Sequence, residues 1–350
     1  VNVLPLGQVK KGMILEQSIY RHDSLLALPL GIEIGERELD TLRYFTIDFV
    51  KVSDRKEKKS VPWYQKWKHQ KEEERLTLSI IERACLQCML WKKDFGYEIY
   101  SVIESSIYKY KKSIKYLNQL RKLDGYSFAQ ALNVSLIIAS ILTENQKCDE
   151  KIGLLIFFAL MHNIGRVKNP ELFKMEGKYS DEQFEELKQI PFETFDMLQT
   201  LGFSSYDVKF ALEVNENWNG QGYPNKVKGS EIEEFAQYVT LANLYNALLS
   251  YRPYRSIYDP YDVLQIIESE RDKKVGSQYI DIFLQRFTPY KIGSKVELNN
   301  DKFAIVKRIP GSRKFLPIVQ LIDDEKGEYT TLVDLGMERD IRIKRVILAY

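Results

Sequence analysis

Two stretches constrain this chain more than any other feature. NVSLIIASIL (133–142) and IGLLIFFALM (152–161) are apolar almost throughout, with Gly153 the one interruption in the second before His162 and Asn163 end it. A helix without a polar face must be covered on all sides, so both belong at the centre of a helical bundle. Neither run reaches the roughly 20 apolar residues that a bilayer crossing needs, so no membrane span is expected. Residues of hydrophobic type make up 44% of the 350 residues, with 22 Tyr, 17 Phe and 4 Trp, enough for a sizeable core. Lys and Arg number 51 against 49 Asp and Glu, a net charge of +2 that removes any global electrostatic case for nucleic acid or membrane partners. Three cysteines cannot staple a fold of this size and suit a reducing compartment. With an N-terminus, VNVLPLGQVKKG, that lacks a signal-peptide layout, the expected location is cytoplasmic.

Pattern divides the chain into four parts. Residues 1–60 read as a small α+β module: Pro5, Gly7, Gly12 and the Pro29–Gly31 turn punctuate short strands, GERELDTLRYF has helical spacing, IDFVKV alternates, and the charged run 54–60 closes it. Residues 61–123 read as a helical linker and the start of the bundle. Here Cys85 and Cys88 form a CxxC within an apolar stripe and, with no second ligand pair, read as packing residues. Residues 124–288 read as the bundle proper. SDEQFEELKQ opens with a capping box, Ser180 three residues before Gln183, and NGQGYPNKVKGS is a loop. Residues 289–350 alternate in SKVEL, FAIVKRI, LPIVQLI and IRIKRVIL and read as a small β module. The tyrosine–lysine stretch YKYKKSIKYLNQLRK (108–122) could suit nucleic acid, but an amphipathic helix with a solvated lysine face explains it more simply.

Three ordered blocks carry a resemblance to a known family. MHNIGRVKNPELFKMEGKYSDEQFEELKQIP, NENWNGQGYPNKVKGSEI and AQYVTLANLYNALLSYRPYR resemble the HD helix, the GYP loop and the following helix of the HD-GYP family, bacterial phosphodiesterases that hydrolyse cyclic di-GMP. The resemblance spans residues 126–287 and implies a mainly α fold, an HD-type helical bundle flanked by small N-terminal and C-terminal β-containing modules. It also implies two or three iron or manganese ions that activate water, held by imidazoles and carboxylates.

The family's ligand positions are mostly replaced. Its early histidine falls on Gln130, the HD pair on His162 and Asn163, and the nearby lysine on Arg166. The histidine of its HP dipeptide falls on Ile190, its paired histidines on Val214 and Asn215, and the aspartate of the next helix on Asn243, with a further aspartate on Asn246. Val and Ile cannot ligate, and neutral amides offer no charge to offset two dications. His22 and His69 lie outside the helical block, so His162 stands as its one imidazole. A buried histidine bonded to a neighbour is the simpler reading of His162. No metal cofactor and no catalysis are expected, which leaves His162, Asn163 and Arg166 as vestigial positions.

The GYP loop is kept, with Gly220, Gly222, Tyr223, Pro224 and Gly229, and so is RPYR at 252–255. Tyr223, Arg252 and Arg255 are the candidate ligand-binding residues, since arginine grips phosphate and an aromatic ring stacks on a base. A structural role, a fixed turn and internal arginine–carboxylate pairs, stands beside that reading. The function expected is an inactive HD-GYP-like signalling protein, a receptor or interaction module in bacterial cyclic-dinucleotide signalling, with a signalling protein or cyclic di-GMP as partner. An active phosphodiesterase with atypical ligands is the second reading and nucleic-acid binding a weaker third.

Overall fold

The computed structural model describes residues 2–21, 23–45, 47–53, 72–88, 93–143, 148–174, 179–250, 258–323, 328–338 and 340–347. The charged run 54–60, the RPYR motif, His22 and His69 lie outside them.

The N-terminal module holds β1 (Asn2–Pro5), β2 (Ile14–Leu15), β3 (Ile19–Tyr20), β4 (Leu26–Leu28), α1 (Glu36–Tyr44) and β5 (Phe49–Ser53). Its main sheet runs β1-β5-β2, and β3 pairs with β4. Alternation in β5 buries Val50 and Val52 while Phe49 and Lys51 face out; α1 adds Leu39 and Leu42 to the same small core.

The helical part follows: α2 (Glu72–Gln87), α3 (Lys93–Lys109), α4 (Ser113–Leu123), α5 (Gly125–Leu142), α6 (Glu150–Met161), α7 (Glu171–Lys174), α8 (Asp181–Leu187), α9 (Ile190–Gln199), α10 (Phe210–Glu213), α11 (Glu234–Leu248), α12 (Pro260–Ser269) and α13 (Ser277–Arg286). As their composition demands, α5 and α6 are central: α5 packs on α4, α6, α11, α13 and β4. Phe128, Leu132, Ile137, Phe157 and Leu160 are buried completely, each worth about 1.5–3 kcal/mol of apolar transfer. Side-chain caps fix where helices begin. Asp124 accepts from Tyr126 N at 3.1 Å, Asp149 from Ile152 N at 2.7 Å, and Ser180 and Gln183 form the expected capping box. Cys85 and Cys88 are buried in the core, as their apolar stripe implied. By length and composition α5 passes as a membrane span, but 78% of that window is buried inside the fold.

The C-terminal module is a five-stranded antiparallel sheet of β6 (Lys295–Leu298), β7 (Phe303–Arg308), β8 (Ile318–Ile322), β9 (Tyr329–Asp334) and β10 (Ile343–Ile347), in the order β10-β6-β7-β8-β9. The molecule is thus mainly α with a small β-containing module at each end. Two details depart from expectation. Strand β9 was not anticipated: it is an edge strand exposed over most of its length, so burial imposes no alternation on its sequence. Arg121 is no part of a solvated basic face. It is 1% exposed and donates to Thr77 Oγ1 at 3.1 Å and Glu73 Oε2 at 2.8 Å.

Candidate functional site

Several element ends converge on one cleft of about 440 Å³. Helix α5 contributes Gln130. Helix α6 stops at His162, its C-cap, and the chain tightens through Asn163 into a 3-10 turn, Ile164–Lys168, that carries Arg166. That turn is held to α9 by Gly165 N donating to Thr194 Oγ1 at 3.0 Å, which brings Ile190 to the rim. Val214 and Asn215 follow α10, and Asn243 comes from α11. The sequence's vestigial and ligand positions between Gln130 and Asn243 therefore line the same space together with Tyr223: Gln130, His162, Asn163, Arg166, Ile190, Val214, Asn215 and Asn243.

The loop after α10 forms the other wall, built around a buried carboxylate. Glu216 Oε1 accepts from Asn225 N at 2.6 Å, and the N–H groups of Lys226 and Val227 bond to the same carboxyl; burial nonetheless pushes that group's pKa up. A Cβ on Gly222 would stand 2.6 Å from Asn215 O and closer still to Glu216 Cα and Asn217 N, so the loop needs glycine there. The Tyr223–Pro224 peptide is cis. Trp218 N and Asn219 N donate to Lys274 O and Lys273 O at 3.1 and 2.9 Å, which draws Lys274 to the cleft edge. The Tyr223 ring lies edge-on to Phe184, 5.9 Å between centroids, and burial raises its phenol pKa against the pull of Arg166.

At the cleft floor the side chains are joined to one another. His162 is 4% exposed and its Nδ1 lies 2.7 Å from Ala159 O. A carbonyl oxygen only accepts, so Nδ1 carries the proton. Burial lowers the imidazole pKa from 6.5 to about 4, Arg166 adding to the shift, so the ring is neutral at pH 7. His162 also hydrogen-bonds Asn243, whose Oδ1 accepts from Gln130 Nε2 at 2.9 Å. Asn163 Nδ2 donates to Ser127 O at 3.3 Å, and Arg166 Nη1 to Ser127 Oγ at 2.6 Å; that hydroxyl in turn bonds Asp124.

This donor set does not fit a pair of divalent metals. The cleft lining holds one imidazole and no carboxylate or thiol, while Arg166 and Lys274 contribute positive charge. Among the described residues no group of three or more His, Cys, Asp or Glu is placed to hold a metal ion. Asn246, which the resemblance places on a family aspartate, does not line the cleft: it lies one helical turn beyond Asn243, where its Oδ1 accepts from Arg21 Nη1 at 2.8 Å. Arg252 and Arg255 lie outside the described residues. Phe184, Asn217, Gln221 and Lys274 join the cleft without having been anticipated. Ordinary loop and helix residues in sequence, they reach it through tertiary bonds such as those at Lys274.

Residues 112–278 match the family model described as HD domain. Among curated proteins, the chain is 22% identical over 211 residues to the cyclic di-GMP phosphodiesterase PdeB of Borreliella burgdorferi, covering 60% of this chain and 55% of that protein. It is 24% identical to a cyclic di-GMP phosphodiesterase of Thermotoga maritima (54% of this chain, 51% of that protein) and 33% identical to one of Vibrio cholerae (38% and 29%). The chain spans about half the length of the first of these relatives. Among solved structures, an HDG"Y"P protein from Bdellovibrio bacteriovorus aligns over 81% of this chain and 97% of its own, at 15% identity and a TM-score of 0.40. Residues 112–278 thus match an HD domain, and the curated relatives that this part of the chain resembles are named cyclic di-GMP phosphodiesterases.

Proposed function

We propose that this chain is a non-hydrolysing member of its family, a receptor or protein-interaction module in bacterial cyclic-dinucleotide signalling. One observation carries the reading: the positions that would bind metal hold neutral side chains, and Gln130, Asn243 and His162 are spent on hydrogen bonds to each other and to Ala159. Metal-activated water has no charged ligand shell to form in. Tyr223, Arg166 and Lys274 leave a cleft of net positive character without a carboxylate, which suits an anionic ligand such as cyclic di-GMP or an acidic partner surface. Arg252 and Arg255 are proposed, on sequence grounds, to add phosphate contacts.

The test is a hydrolysis assay with cyclic di-GMP and added manganese or iron, run beside a calorimetric titration of the same ligand. Binding without turnover is the expected result, and silence in both assays leaves a protein as the partner. Turnover that disappears in His162→Ala would overturn the reading.

A further inference from the structure

The amide pair at the cleft floor has a twin one helical turn deeper. Asn133 stands three residues after Gln130 on α5, and Asn246 three residues after Asn243 on α11, so both pairs bridge the same two helices on one face. The cleft rung is Gln130 Nε2 to Asn243 Oδ1 at 2.9 Å; the deeper rung is Asn133 Nδ2 to Asn246 Oδ1 at 3.0 Å. The deeper rung grips the N-terminal module. Asn133 bonds both backbone groups of Leu26, accepting from N at 2.8 Å and donating to O at 2.9 Å, as a neighbouring strand would. Arg21 Nη1 donates to Asn246 Oδ1 and O at 2.8 and 3.1 Å and to Ser250 Oγ at 3.1 Å. Its other nitrogens pair with both oxygens of Asp23, at 3.1 and 2.6 Å, and Tyr245 donates to Asp23 at 3.2 Å. Arg21 and Asp23 are both buried.

Asn243 Oδ1 accepts from Gln130 Nε2 at 2.9 Å while the same side chain meets the His162 ring, so the cleft rung fixes the Gln130 amide. Gln130 then presents Oε1 with no hydrogen-bond partner among the described residues. At the deeper rung Arg21 and Asn133 both donate to Asn246 Oδ1, which leaves Asn246 Nδ2 without a described partner. The orphan acceptor and the orphan donor belong to residues that line the same small cavity, about 20 Å³, together with Arg21, Leu26 and Asn133. That is room for one water, and one acceptor plus one donor is what a bridging water satisfies.

We propose that the two rungs, joined by one buried water between Gln130 Oε1 and Asn246 Nδ2, form a single ladder through which docking of the N-terminal module sets the side-chain orientations at the cleft floor, making Arg21 and Asn133 positioning residues for the cleft. The inference goes beyond the proposed function and holds whether or not the cleft hydrolyses anything.

The readout is the ring 15N spectrum of His162 in the full chain. In the parent protein a single neutral tautomer protonated at Nδ1 is expected. Asn133→Leu, which keeps the shape and removes both the rung and the grip on Leu26, should give mixed tautomers or exchange broadening at His162. Val50→Ala, a cavity in the small N-terminal core, is the control: for a similar loss in melting temperature it should leave the ring signals unchanged. Should Asn133→Leu fail to fold, Arg21→Lys, which keeps the charge and loses the fork, carries the same expectation. Ring signals unchanged in the folded ladder variant would overturn the proposal. So would a high-resolution crystal structure in which the cavity between Gln130 and Asn246 is dry.

Discussion

The two walls of the cleft match the family that the chain resembles to different degrees, and the contrast separates chemistry from architecture. On the helix wall the positions that the resemblance assigns to metal ligands carry Gln130, Asn163, Ile190, Val214, Asn215 and Asn243; on the loop wall Gly220, Gly222, Tyr223, Pro224 and Gly229 keep the pattern of the resembled loop. The helix-wall positions answer to a metal, and without one a neutral amide is cheaper to bury than an unpaired carboxylate. The loop answers to its own backbone: the Glu216 carboxylate holds several of its N–H groups, and the packing around Gly222 excludes a side chain. Its retention needs no ligand to explain it. What speaks for binding is the cleft's charge and its aromatic rim, Tyr223 against Phe184.

If the loop is kept for architecture, its glycines should differ by their surroundings. Gly222→Ala should destabilise by about 3 kcal/mol or more, because the added methyl meets backbone that cannot move aside. Gly229→Ala has nothing within 4 Å of its Cβ and suffers only from a φ of +57°, so about 1 kcal/mol is expected. Denaturant melts of the two variants decide this, and equal losses would break the contrast.

The helix wall should show itself through pH. His162 is buried neutral, with a pKa near 4 when folded against 6.5 when exposed. Between those values the unfolded chain binds more protons, so this stabilisation is complete above pH 6.5 and is lost as pH falls toward 4, a swing of about 3 kcal/mol. His162→Gln should remove that part of the acid sensitivity. Stability curves of equal slope for the two proteins would mean that the ring is solvated or paired with a charge.

Much of this arrangement was legible in the sequence, for identifiable reasons. The apolar runs in α5 and α6 demanded a centre, and alternation exposed β6, β7, β8 and β10. Residues far apart in the chain, from Gln130 to Asn243, do meet in one cleft. Less was legible where a residue's role depends on what lies across the fold. Asn246 sits three residues from Asn243 and reads as the same kind of position, yet a helical turn of difference aims it at Arg21. Arg121 belongs to a basic run but is buried, because Glu73 and Thr77 arrive from another helix. Lys274 reaches the cleft through two backbone bonds that no local pattern announces.

The central claim, that the helix wall has given up its metals, is tested most directly by metal content. Protein purified without chelator, then dialysed and measured by elemental analysis, should carry no stoichiometric iron or manganese. About two equivalents per chain, lost together on replacing His162 by Ala, would contradict it.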